Sequence, residues 1–147
     1  MFKVKPRGNI LVCVMCLFCT LARGRPASVD ERWWQVQVQE ATVLERQGRY
    51  AEAEPILLSV LRKAKTLGLR NADLALVLNK IGGLYLELGR YAEAERDLHR
   101  SLALQDYETE EQGAGWLRTA NNLVSLYTEM GHFSRAEKLA KQVLSRH

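Results

Sequence analysis

The chain has 147 residues, 47% hydrophobic and 26% charged, which is the size and composition of one ordinary globular domain. Its net charge is +4, but residues 1–24 hold four Lys or Arg and no acidic residue, so 17 of the 21 basic residues balance 17 acidic ones in the remainder. A neutral domain without a basic stripe excludes electrostatic binding of nucleic acid as the main activity.

The N-terminal segment has the pattern of an export signal. Three basic residues within positions 3–7 precede an uncharged, mostly apolar stretch at 10–22. This stretch is shorter than the roughly 20 residues that a membrane-spanning helix needs. We therefore predict a signal peptide over residues 1–24, a linker over 25–28, and export to the periplasm or the exterior. An uncleaved membrane anchor is the alternative, because Arg23 is unusual at a cleavage junction.

The sequence contains no pattern of catalytic or metal-binding residues. Cys13, Cys16 and Cys19 have a spacing like that of iron–sulfur ligands, but they lie inside the apolar stretch and a fourth thiolate is missing. The three histidines fall in different elements, and neither a phosphate-binding glycine loop nor a nucleophile elbow is present. We predict that the protein is not an enzyme and binds no cofactor or metal.

The sequence pattern of residues 29–147 predicts three helical hairpins, at about 29–68, 71–107 and 114–147. Ser28 and Glu31 form a capping box at the start of the first hairpin. In the second hairpin, apolar residues recur at intervals of three and four between positions 74 and 88, which indicates one buried helix face. A loop is predicted from Tyr107 to Gly115, and the first helix of the third hairpin from Trp116 to Met130.

The hairpins share one template, in which Gly ends the first helix and an aromatic residue and an Ala follow in the second. The template residues are Gly48, Tyr50 and Ala53, then Gly89, Tyr91 and Ala94, then Gly131, Phe133 and Ala136. A hairpin this small cannot bury its own apolar face, so copies must stack, and about three are needed. The sequence therefore predicts an all-α solenoid of three stacked helix-turn-helix hairpins after the signal segment.

This template resembles the tetratricopeptide repeat, and more narrowly its longer, 42-residue variety found in kinesin light chains. Gly82 and Tyr85 fall where that family places a small and an aromatic residue in the first helix, and Tyr127 does so in the third hairpin. Ala41 and Val124 replace the small Gly in the other two copies. The resemblance implies that Gly82 and Ala94 allow close approach of two helices.

The resemblance also implies a groove, lined by the first helix of each hairpin, that holds an extended peptide. The groove candidates carried over on this basis are Gln35, Thr42, Asn79, Glu87, Arg118, Asn121, Ser125 and Thr128, with Glu45, Arg46, Leu76, Gly83 and Glu129 among their neighbours. Asn79 and Asn121 occupy equivalent positions, where an amide can donate to and accept from a peptide backbone. The alternative is that both asparagines bond a neighbouring helix.

Tryptophan occurs near the start of two of the three first helices. Trp33, Leu74 and Trp116 occupy equivalent positions, and aromatic residues there are expected to pack between layers. Trp34 must point elsewhere on the helix, so we predict that it is exposed.

We therefore predict an exported adaptor or scaffold that binds a protein or an extended peptide. One alternative is a self-associating structural module, and another is a shortened relative of a longer array with a separate effector domain. No polar capping helix follows the third hairpin in this sequence, and apolar surface near Leu139 and Val143 would favour self-association or a continuation. Membrane contact is expected only through residues 1–24, and only if they are retained.

Overall fold

A computed structural model describes residues 29–105 and 110–145, so the predicted signal segment, linker and Ser28 cap lie outside the described residues. The described residues form six helices and no strand. These helices are α1 (Val29–Arg46), α2 (Tyr50–Lys63), α3 (Asn71–Glu87), α4 (Tyr91–Ala103), α5 (Glu110–Glu129) and α6 (Phe133–Leu144). None of the six is both long and apolar enough to cross a membrane.

The helices pack as three consecutive hairpins. Within each hairpin the two helices lie against one another, α1 on α2, α3 on α4 and α5 on α6. Between hairpins, α2 packs on α3 and α4 on α5, and α3 also contacts α5 directly. The predicted all-α stack of three hairpins is therefore confirmed.

Each hairpin turns at a template glycine in the left-handed backbone region. Gly48, Gly89 and Gly131 have φ values of 71°, 70° and 73°, which a residue without Cβ adopts at little cost. The N–H of the residue after each glycine donates to the carbonyl five residues earlier, from Arg49 to Leu44 at 2.9 Å, Arg90 to Tyr85 at 2.8 Å and His132 to Tyr127 at 2.7 Å. These bonds satisfy helix-end carbonyls and fix the reversal of the chain.

Small residues set the distance between the helices of a hairpin. A Cβ placed on Gly82 would lie 2.5 Å from Cγ of Leu98, so only glycine allows α3 to approach α4 this closely. Ala53 and Ala94 are completely buried, and Ala136 is nearly so. The close approach predicted at Gly82 and Ala94 is confirmed.

The third hairpin begins earlier than predicted. Glu110 already belongs to α5, so the predicted loop from Tyr107 to Gly115 is wrong from Glu110 onward. The segment holds two glycines, and each disfavours helix by about 1 kcal/mol. Packing decides otherwise, because a Cβ on Gly115 would lie 2.7 Å from Oε1 of Gln105. Here the glycine makes room for the side chain of Gln105, which follows the end of α4.

The prediction for Trp34, the second of two adjacent tryptophans in α1, is also wrong. Trp34, predicted to be exposed, is buried in the core with only 6% of its surface accessible. Trp33, predicted to pack between layers, does pack against the core as a half-buried residue, and the Lys63 ammonium lies 4.4 Å from its ring centroid. A helix presents neighbouring residues about 100° apart, so the rotation of α1 on α2 decides which tryptophan is covered.

Candidate functional site

Two clefts adjoin at Asn79 on the side of the stack formed by the first helices of the hairpins. The first, which we call the Arg118 cleft, has a volume of about 160 Å³ and is lined by Ala72, Asp73, Ala75, Leu76, Asn79, Gln105, Gly115, Arg118 and Thr119. The second, the Lys80 cleft, has a volume of about 330 Å³ and is lined by Glu45, Arg46, Tyr50, Asn79, Lys80, Gly83, Leu84, Glu87 and Asn122. Because α1, α3 and α5 all contribute to the second cleft, the site exists only in the assembled stack.

A buried hydrogen-bond cluster forms the floor of the Arg118 cleft. Thr119 Oγ1 accepts from Nδ2 of Asn79 and from Nε2 of Gln105, both at 3.0 Å, and donates to the Gly115 carbonyl at 3.1 Å. Ser101 Oγ donates to the Ala75 carbonyl at 2.7 Å. The cluster joins α3, α4 and α5, and so holds the second and third hairpins in a fixed relation.

An ion pair crosses between hairpins in the Lys80 cleft. Lys80 Nζ lies 3.1 Å from Oε2 of Glu45, and both side chains are less than a quarter exposed. The other oxygen of Glu45 is buried and has no hydrogen-bond partner among the described residues. In contrast, Arg46 and Glu87 are exposed and form no ion pair within residues 29–105 and 110–145. The cleft therefore has one ion pair in its wall and two exposed charges without an ion-pair partner among the described residues at its rim.

A separate polar cluster joins α4 to the third hairpin. The Tyr127 hydroxyl donates to Oε1 of Glu95 at 3.1 Å and lies 2.9 Å from Nε2 of His99. Arg135 Nη1 lies 3.4 Å from the same Glu95 oxygen. Burial raises the pKa of the Tyr127 hydroxyl, and its hydrogen bond to the Glu95 carboxylate raises the pKa further. This cluster is a structural tie between hairpins.

The structure brings together three of the eight groove candidates and leaves five outside the two clefts. Asn79, Glu87 and Arg118 line them. Gln35 lies at a different depression, beside the turn between α2 and α3. Thr42 and Thr128 each donate to a carbonyl of their own helix, at Val38 and Val124. The remaining two, Asn121 and Ser125, are exposed on α5.

Asn79 and Asn121 occupy equivalent positions but have different surroundings. Asn79 is 7% exposed because the third hairpin covers it, and its amide bonds Thr119 of that hairpin. Asn121 is exposed, since no further hairpin among the described residues packs on α5. Asn79 therefore lines both clefts and also bonds a neighbouring helix, as the alternative predicted, so its role is structural as well.

Sequence reasoning missed Asn122, Lys80 and Gln105 as site residues. The Nδ2 of Asn122 lies 3.7 Å from the position that a Cβ on Gly83 would occupy, so this glycine leaves room for the asparagine. The adjacent glycines at 82 and 83 were the available signal, because one faces α4 and the other must face a different neighbour. Lys80 and Gln105 offered no signal, since their partners are 35 and 14 residues away in sequence.

The described residues contain no group of three or more His, Cys, Asp or Glu side chains placed to hold a metal ion. The family model of the tetratricopeptide repeat matches the chain twice, at residues 35–106 and 73–147. Such repeats generally mediate protein–protein interactions and scaffolding and are generally not catalytic. The two overlapping matches cover most of the chain, including all but the start of the first hairpin, and so the chain belongs to the tetratricopeptide repeat family.

Proposed function

We propose that this protein binds an extended segment of a protein partner across the Arg118 and Lys80 clefts and acts as an adaptor. The observation that carries this proposal is the junction of the two clefts at Asn79, which gives a continuous lining from three hairpins. An isolated pocket would hold one side chain, whereas two adjoining clefts suit successive side chains of one segment.

The chemistry of the lining suggests what the segment carries. Arg118 is exposed at the rim of the first cleft, above an apolar wall that includes Ala72 and Leu76, which favours an acidic side chain next to an apolar one. At the second cleft, the exposed Glu87 carboxylate favours a basic side chain, and the exposed Arg46 guanidinium favours an acidic one beside it. Between them, the side-chain amide oxygen Oδ1 of Asn79 accepts no hydrogen bond from the described residues and can receive a peptide N–H.

A displayed library of random octapeptides, selected on the immobilised 147-residue chain, tests this proposal. Peptides recovered from the selection should bind Arg118→Glu and Asn122→Ala roughly tenfold more weakly than wild type, as expected for the loss of about 1.4 kcal/mol. Lys65→Glu is the matched control, because this exposed residue lies in the turn after α2 and lines neither cleft. Equal binding by Arg118→Glu and wild type, or recovery of no peptide, would contradict the proposal.

Export by residues 1–24 belongs to the same proposal, because it decides where a partner is met. The support is the sequence pattern alone, a basic start followed by an apolar stretch and small residues. Intact-mass measurement of the protein recovered from outside the cytoplasm should show an N-terminus between Arg23 and Ala27. Full-length protein confined to the cytoplasm would refute export while leaving cleft binding unaffected.

A further inference from the structure

The last helix, α6, has an apolar face that the described part of the chain leaves open. This face, which we call the α6 face, consists of Phe133, Ala140, Val143 and Leu144, of which Ala140 and Val143 are half-buried, while Leu139 beside them packs against the core. Phe133 is 67% exposed and Leu144 73% exposed, the two largest exposures among the large hydrophobic residues of the described chain. Exposed apolar residues clustered on one helix face indicate an interaction surface.

Equivalent positions in the first two hairpins show what normally covers this face. Leu144 corresponds to Leu61 and Leu102, which are half-buried by the packing of the next hairpin. Val143, itself half-buried, corresponds to Val60 and Ser101, which are completely buried. The α6 face is thus the helical surface that α2 and α4 bury between hairpins, and within residues 29–105 and 110–145 no further hairpin covers it.

The opposite end of the stack is a poor partner for this face. On α1, Val36 and Val43 are 60% and 43% exposed at positions where the later hairpins bury their residues. Between them, however, Glu40 occupies the position of Ile81, which is 1% exposed. Head-to-tail stacking of two copies would bury this carboxylate, which is costly without a partner.

We propose that the α6 face pairs with the α6 face of a second copy of this chain, in an antiparallel dimer with two-fold symmetry. Phe133 and Leu144 lie at opposite ends of the face, about 16 Å apart for eleven residues of helix. In an antiparallel pair each Phe133 meets Leu144 of the second copy, so the two ends of the face complete one another. A two-fold interface of this kind is closed and limits assembly to two chains.

Charge complementarity supports the same arrangement. Glu137 and Lys141 lie next to the apolar residues near the middle of α6 and form an ion pair 2.6 Å long within the helix. Their mean position is residue 139, close to the midpoint between Phe133 and Leu144. The antiparallel pair therefore places Glu137 of each copy near Lys141 of the other, and two further ion pairs flank the apolar contact.

Light scattering and sedimentation on the full 147-residue chain, over a dilution series, test the dimer. The wild type should reach a limiting mass of two chains. Leu144→Glu should weaken association roughly 100-fold or more, because two leucines leave the interface and two carboxylates enter it. Val43→Glu is the matched control, since it places the same change on the exposed face of α1. Loss of association in both variants would indicate head-to-tail stacking and overturn the dimer, as would a wild-type monomer at every concentration.

Charge exchange keeps the proposal testable if Leu144→Glu fails to fold. Glu137→Lys and Lys141→Glu should each weaken the homodimer roughly tenfold, because two attractive pairs become repulsive. Mixing the two variants should restore wild-type affinity, since every contact between the chains is then between opposite charges. Within each helix the charges remain alike, so recovery on mixing can arise only between chains. Failure of the mixture to recover would refute the antiparallel register. Arg118→Glu should dimerise as wild type does, which separates this surface from the clefts.

Discussion

Gly82 and Gly83 are neighbours in the interior of α3, and replacement with alanine should stabilise the protein at Gly83 but not at Gly82. A Cβ on Gly82 would lie 2.5 Å from Cγ and 2.7 Å from Cδ2 of Leu98. Leu98 is completely buried, so its side chain has little room to move. A Cβ on Gly83 would meet only Nδ2 of Asn122, at 3.7 Å, which is an ordinary contact.

The magnitudes follow from two terms. Alanine is favoured over glycine in a helix interior by roughly 0.8–1 kcal/mol, and this term is the same at both positions. Gly83→Ala should therefore stabilise the protein by about 0.5–1 kcal/mol. At Gly82 an overpacking term of roughly 1–3 kcal/mol opposes the helix term, so Gly82→Ala should be neutral to destabilising by about 2 kcal/mol. The difference between the two variants isolates the overpacking.

Urea unfolding followed by circular dichroism measures the free energy of unfolding of each variant, with m-values compared to verify that the transition is unchanged. Two further variants, Leu98→Ala with and without Gly82→Ala, test whether the clash with Leu98 is the cause. In the Leu98→Ala background, Gly82→Ala should become stabilising, because the opposing side chain has been removed. If Gly82→Ala proves as stable as Gly83→Ala in the wild-type background, then α3 and α4 do not approach as closely as described.

Three other changes follow from the polar contacts. Asn79→Ala should destabilise the protein by about 1–3 kcal/mol, whereas Asn121→Ala should stay within about 0.5 kcal/mol of wild type in the same urea assay, since only the first amide is buried and bonded. Lys80→Met should lower the free energy of unfolding by about 1–2 kcal/mol, and adding Glu45→Leu should recover part of that loss, because the carboxylate is no longer left unpaired. The raised pKa of Tyr127 means that folding favours its protonated hydroxyl, a contribution present below the usual pKa of about 10 and lost as pH rises through the folded value. Tyr127→Phe should therefore show a shallower loss of stability above pH 10 than wild type, and an identical decline would contradict the assignment.

Most of the fold, but only part of the candidate site, could be predicted from the sequence. The hairpin count, the turn glycines and the small residues between helices could all be predicted, because each leaves a local pattern at a fixed period. The 42-residue, kinesin-light-chain-like variety stays a prediction. Of the groove candidates, Asn79, Glu87 and Arg118 line the clefts and the other five do not, because carrying over positions specifies a helix face but not what covers it. Gln105 could not be predicted, since its partner Thr119 comes from another hairpin.

The sequence by itself determined the repeat, since apolar period and left-handed glycines act within a few residues along the chain. The tertiary structure decided which members of equivalent positions are buried. Asn79 and Asn121 are the same residue at the same place in the template, yet one is buried and the other exposed. Trp34 is buried, although exposure was predicted for it, for a related reason, the rotation of α1 on α2. Burial depends on the neighbour that packs against a residue, and in a stack of near-identical hairpins that neighbour differs between the middle and the ends.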